Sequence, residues 1–133
     1  MAGKDLEQKI WRLISLWFPV LLQMSLIFYF SAQPKGSPVL ESFPVPAGVG
    51  HLIGYGLLTF LFYRAFNGGL AGWSVAAARK TFVFALIYAI SDEFHQSFVP
   101  GREAAVSDVM IDTAGILLAL FLIYAGQLAI FRR

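Results

Sequence analysis

The densest polar chemistry in this chain is the run Ser91-Asp92-Glu93-Phe94-His95-Gln96, which arrives after an apolar stretch that begins at Thr81. A carboxylate beside an imidazole is the pairing that general acid–base catalysis uses. Asp92 or Glu93 would orient His95 as the base, and Arg102 would stabilise a developing negative charge. On a helix Asp92, His95 and Gln96 fall at i, i+3 and i+4 and share one face, with Glu93 rotated by one position. Two further acids, Asp108 and Asp112, stand four residues apart, near what reads as a helix N-terminus, where the macrodipole favours negative charge. His51 and Tyr55 show the same spacing, and Ser31 and Gln33 close an earlier apolar segment. The chain has no cysteine, which removes thiolate nucleophiles and cysteine-ligated metals. His51, His95 and the carboxylates suit zinc or manganese by type, but no HExxH-like spacing is present. No metal and no cofactor are expected.

The elements that position these residues follow from composition. Of the chain, 58% is hydrophobic and 14% charged, against roughly 25% charged in a soluble domain. A chain of 133 residues is too short to bury that much apolar surface within itself, so lipid is the expected solvent. A spanning helix needs about 20 mostly apolar residues, and four segments supply them: roughly Arg12 to Ser31, Ala47 to Phe66, Lys80 to Phe98, and Ala104 to Ile130. Pro19 is a tolerable kink in the first. Its apolar part, Leu13 to Phe30, exceeds the roughly 7 to 15 residues of a signal-peptide core, so it reads as uncleaved. The stretch Gln33 to Pro46, with Pro34, Gly36, Pro38, Pro44 and Pro46, reads as loop. The fold expected is all-α: one domain over residues 1–133, a four-helix transmembrane bundle.

Orientation follows from the basic residues. Eight of the ten Lys and Arg fall on one side (Lys4, Lys9, Arg12, Arg64, Arg79, Lys80, Arg132 and Arg133), and Lys35 and Arg102 fall on the other. Basic residues favour the cytoplasmic side, so both termini are expected there. Their scatter offers no basic patch for nucleic acid, and none is expected as a partner. With a start at Lys80, Asp92 lies ~18 Å and His95 ~22 Å along the third helix, in the outer half of the membrane. An ionisable group deep in a bilayer costs about 2.5–3.5 kcal/mol on insertion scales and usually faces a bundle interior or a wet cavity. All four helices thereby deliver polar groups to the outward-facing end.

The string Phe30-Ser31-Ala32-Gln33-Pro34, the His51 and Tyr55 pair, the run from Ser91 to Arg102 with its Asp-Glu-x-His-Gln and Pro-Gly-Arg, and Asp108, Asp112 and Gly115 together resemble the VanZ-like family. That resemblance implies a bacterial cytoplasmic-membrane protein connected with resistance to the glycopeptide antibiotic teicoplanin. It carries no biochemical mechanism.

Three readings of the polar residues stand side by side. They could form an internal network that holds the helices in register. They could line a pocket open to the outer leaflet, with Ser31, Gln33, His51, Tyr55, Gln96, Arg102, Asp108 and Asp112 meeting a membrane lipid, a lipid-linked cell-wall precursor or an acyl-tailed glycopeptide. Or Asp92, Glu93 and His95 could act on a lipid head group as a hydrolase or transferase. A proton pathway would need polar groups through the whole thickness, and the inner halves carry almost none. Trp11, Trp17, Tyr63 and Trp73 read as interface anchors.

Overall fold

The computed structural model describes residues 2–43 and 45–131; Pro44, Arg132 and Arg133, which entered the loop and charge arguments, lie outside the described residues. Every regular element described is helical: α1 (Ala2–Ser31), α2 (Pro38–Glu41), α3 (Ala47–Phe66), α4 (Val75–Gln96) and α5 (Val106–Phe131). Three of these, α1, α3 and α5, are long and apolar enough to cross a membrane. The fourth long helix, α4, has 22 residues, enough for ~33 Å, but includes Arg79, Lys80, Asp92 and Glu93.

Its charges are distributed by face. Ala78, Thr81, Ala85, Ala89, Asp92 and Gln96 recur every three or four residues and are buried, whereas Val83, Phe84, Ile87, Ile90 and Phe94 are exposed. Beyond the exposed Arg79 and Lys80 of its first turns, a helix with its acids turned inward and a mainly apolar face turned outward suits a lipid surround. The small residues on the inward face allow close packing where lipid supplies no hydrophobic drive between helices.

Helix α3 is central and contacts α1, α4 and α5, most extensively α5. At that seam a Cβ on Gly115 would come within 2.6 Å of the Leu52 carbonyl oxygen, so glycine is what permits the approach. The core gathers Leu16, Val20, Tyr55, Leu58, Phe62, Ala85, Ala89 and Ile116.

Several boundaries differ from the sequence reading. Helix α4 starts at Val75, not near Lys80, because the Ser74 hydroxyl accepts a hydrogen bond from the Ala77 amide at 3.2 Å and three alanines follow. Arg79 and Lys80 therefore sit on its first turns. It also ends at Gln96, short of Phe98. The presumed loop contains a helical turn, α2, with Ser37 as N-cap and Pro38 in the first turn, where a missing N–H does no harm. Tyr63 is fully buried rather than interfacial: it donates to the Gly72 carbonyl at 3.2 Å, accepts from the Ser74 amide at 3.0 Å and stacks on Trp73.

Candidate functional site

The C-terminal ends of α1 and α4 and the N-terminal ends of α3 and α5 meet at one end of the bundle. Between α1 and α3, with α4 as floor and the segment around α2 as roof, lies a cavity of about 490 Å³, inside the roughly 300–1,000 Å³ of small-molecule sites. Its walls are apolar, from Leu26, Ile27, Phe30, Leu40, Phe43, Val45 and Ile53. Its polar lining comes from Gln23, Ser31, His51, Tyr55, Asp92, Gln96 and Arg102.

Three of those polar side chains are buried without a hydrogen-bond partner: Ser31 at Oγ, Tyr55 at its hydroxyl and Asp92 at Oδ1. Their residues are 6%, 1% and 4% exposed. Orphaned polar atoms of this kind cost roughly 1–3 kcal/mol each, so three lining one cavity form a group that awaits partners. The other Asp92 oxygen accepts from Gln96 Nε2 at 3.4 Å.

His51 also lines the cavity, and its Nδ1 lies 2.9 Å from Oδ1 of the fully buried Asp112. This is the one ion-pair contact among the described residues. The neighbouring carboxylate fixes the ring's orientation, and the partners stand on α3 and α5, across the seam that Gly115 makes possible.

Arg102 is held by the end of α1 and by Gln96. Neither Asp92 nor Asp108 pairs with it. Its Nε donates to the Gln33 carbonyl at 3.1 Å, Nη2 to the Phe30 carbonyl at 3.1 Å, and Nη1 to Gln96 Oε1 at 3.4 Å. Helix α1 has no basic residue in its last turn, and its final carbonyls are capped from the α4–α5 turn instead. Gly101 makes that turn possible: its φ is +74° and a Cβ there would come within 3.2 Å of the Lys35 Cβ.

Glu93 serves as a cap too. Its Oε1 accepts from the Ala105 amide at 2.6 Å, one residue ahead of α5, while Oε2 is buried without a partner.

The site residues expected from sequence therefore separate into groups. Ser31, His51, Tyr55, Asp92, Gln96 and Arg102 line one cavity. Asp112 stands behind His51, and Glu93 secures α5. Gln33 turns its side chain back to the Tyr29 carbonyl, 3.1 Å away, and Asp108 is half-buried outside the cavity. His95 faces away: its ring lies against Phe28 of α1, centroids 4.5 Å apart, with Nδ1 buried and unpartnered. No hydrogen bond joins it to Asp92 or Glu93, because the rotation of α4 that turns Asp92 inward carries His95 toward α1. Among the described residues no three His, Asp or Glu side chains are grouped to hold a metal.

Sequence reasoning missed Gln23, whose Nε2 donates to the Gly54 carbonyl at 3.1 Å, and Tyr88, whose hydroxyl donates to the Met24 carbonyl at 2.6 Å. Both carried a signal. Gln23 is a lone amide inside an apolar span, and Tyr88 stands one turn before Asp92.

A family model described as VanZ/LLP1 matches residues 16–131. No curated protein and no solved structure matches the chain.

Proposed function

The chain belongs to the VanZ/LLP1 family, and from that premise we propose that it binds the polar head of an envelope amphiphile in the cavity between α1 and α3. The candidates are a membrane lipid, a lipid-linked cell-wall precursor and an acyl-tailed glycopeptide. The chain would sit in the bacterial cytoplasmic membrane with four spans, both termini inside and the cavity at the outer end. Binding there would underlie a part in teicoplanin resistance.

One observation carries this reading: a cavity with apolar walls is lined by three residues, Ser31, Tyr55 and Asp92, each with a buried polar atom that has no hydrogen-bond partner. Its exposed apolar rim, Leu26 and Ile53, suits an acyl chain. The apolar outer face of α4 supports the fourth span.

The test fills the cavity. Gly50 lines it, and a Cβ there meets nothing within 4 Å, so the backbone accepts a side chain at this position and Gly50→Phe should fill part of the space. The wild-type protein, purified in mild detergent, should carry an amphiphile visible by native mass spectrometry, and Gly50→Phe should carry much less at unchanged Tm. Equal occupancy in the two proteins would refute the reading. Teicoplanin susceptibility unchanged by expression would remove the resistance role.

A second reading, catalysis on a head group, is favoured by the His51–Asp112 pair. An imidazole fixed by a buried carboxylate and lining a cavity is how a general base is oriented. It shifts the base from His95 to His51. Recovery of only unmodified amphiphile after prolonged incubation, from wild type and His51→Ala alike, would exclude it.

A further inference from the structure

The cavity's polar atoms are unequally satisfied, and the imbalance says what kind of head group fits. Its one lining guanidinium, Arg102, already engages all three of its nitrogens, with two backbone carbonyls of the α1 end and with Gln96. Its one lining carboxylate does not: Asp92 Oδ1 is buried with no donor, and the Tyr55 hydroxyl and Ser31 Oγ are in the same state. A carboxylate oxygen only accepts, and a hydroxyl accepts as readily as it donates. A group rich in N–H donors can serve all three oxygens, the hydroxyls turning their own hydrogens elsewhere, and a positively charged one gains most from a desolvated carboxylate.

Building on the amphiphile-binding reading above, we infer that the ligand is a phospholipid whose head bears a primary ammonium, as an ethanolamine head does. The ammonium brings three N–H donors to the three orphaned oxygens, with Asp92 Oδ1 as the charged partner. The guanidinium has five N–H groups in all, and those its present bonds leave unused face the lipid phosphate. The acyl chain leaves past Leu26 and Ile53, which are 44% and 61% exposed. A trimethylated head has no N–H and leaves the three oxygens as they are. A purely anionic head brings its charge toward Asp92.

The experiment reconstitutes the wild-type protein in nanodiscs that contain phosphatidylethanolamine, phosphatidylcholine and phosphatidylglycerol in equal parts. Lipid retained by the protein after extraction is then counted by native mass spectrometry. Phosphatidylethanolamine should be retained at least about tenfold over the other two, the scale set by one charge-assisted hydrogen bond. Asp92→Asn should abolish the preference. Tyr55→Phe, which removes one acceptor and keeps the ring, should weaken it and guards against a folding defect in the first variant. Soluble phosphoethanolamine in excess should not displace the lipid; displacement would assign the site to a free amine and overturn the lipid claim. Equal retention of the three lipids, preference for phosphatidylglycerol, or a preference that survives Asp92→Asn would each overturn the ammonium while leaving the amphiphile reading intact. No lipid on the wild type, or equal retention by wild type and Gly50→Phe, would bring down both.

Discussion

Replacing Gly115 by alanine tests whether the α3–α5 seam sets the geometry of the site. The added Cβ would lie 2.6 Å from the Leu52 carbonyl oxygen and 3.3 Å from Leu52 C and Cα. All three are backbone atoms of a helix and cannot rotate away. Restoring an ordinary ~3.3 Å carbon–oxygen approach requires α3 and α5 to separate by about 0.7 Å. His51 is next to Leu52 and Asp112 is one turn before Gly115, so the same displacement acts on their 2.9 Å contact and stretches it beyond hydrogen-bond range. Overpacking of this kind costs about 1–3 kcal/mol. A glycine-to-alanine change in a helix also gains up to ~1 kcal/mol of propensity, which would blur a single measurement. Gly56→Ala on the same seam removes that ambiguity, because its Cβ would meet the Gly115 carbonyl oxygen at an ordinary 3.7 Å. The propensity gain is common to both variants, so their difference reads the clash alone. In detergent Gly115→Ala should melt roughly 3 °C or more below Gly56→Ala, and it should lose bound amphiphile where Gly56→Ala keeps it. Equal melting temperatures would refute the claim that this glycine sets the helix separation.

Other expected outcomes follow from the clasps around the cavity. Arg102→Lys keeps the charge but loses the fork that reaches two carbonyls, so amide hydrogen exchange in residues 31–37 should accelerate while α3 and α5 stay protected; unchanged exchange would show that the α1 end is secured elsewhere. Glu93→Ala should destabilise by about 0.5–2 kcal/mol through loss of the cap on α5, whereas Glu93→Gln retains an acceptor and should fall nearer wild type in thermal melts. Tyr63→Phe removes both a donor to Gly72 and an acceptor for Ser74 and should cost ~1–3 kcal/mol, read as a lower denaturation midpoint. Because the chain has no cysteine, Lys35→Cys gives a single reporter of orientation. An impermeant maleimide added to whole cells should label it, and labelling only after the membrane is opened would reverse the topology.

Reading the residues one by one went furthest where the determinant was local. Apolar length and type identified the long helices, since a bilayer demands about 20 apolar residues whatever their neighbours. The polar end was legible for the same reason: Ser31, His51, Asp92 and Asp112 all fall near helix termini that alternate in direction. Helical spacing correctly put Asp92 and Gln96 together, four residues apart. It failed for His95, three residues from Asp92, because a shared face is broad and a small rotation of the rod divides it between two neighbours.

Composition and period thus fixed, without help from the fold, the solvent, the helices and the end at which ionisable groups collect, because each depends on residues close in the chain. Which groups touch was decided only in three dimensions. His51 meets Asp112 across 61 positions, and Arg102 reaches back 72 positions to the Phe30 carbonyl. The rotation and separation of packed helices choose such partners, and those are set by where a glycine lets two backbones approach, as Gly115 does against Leu52.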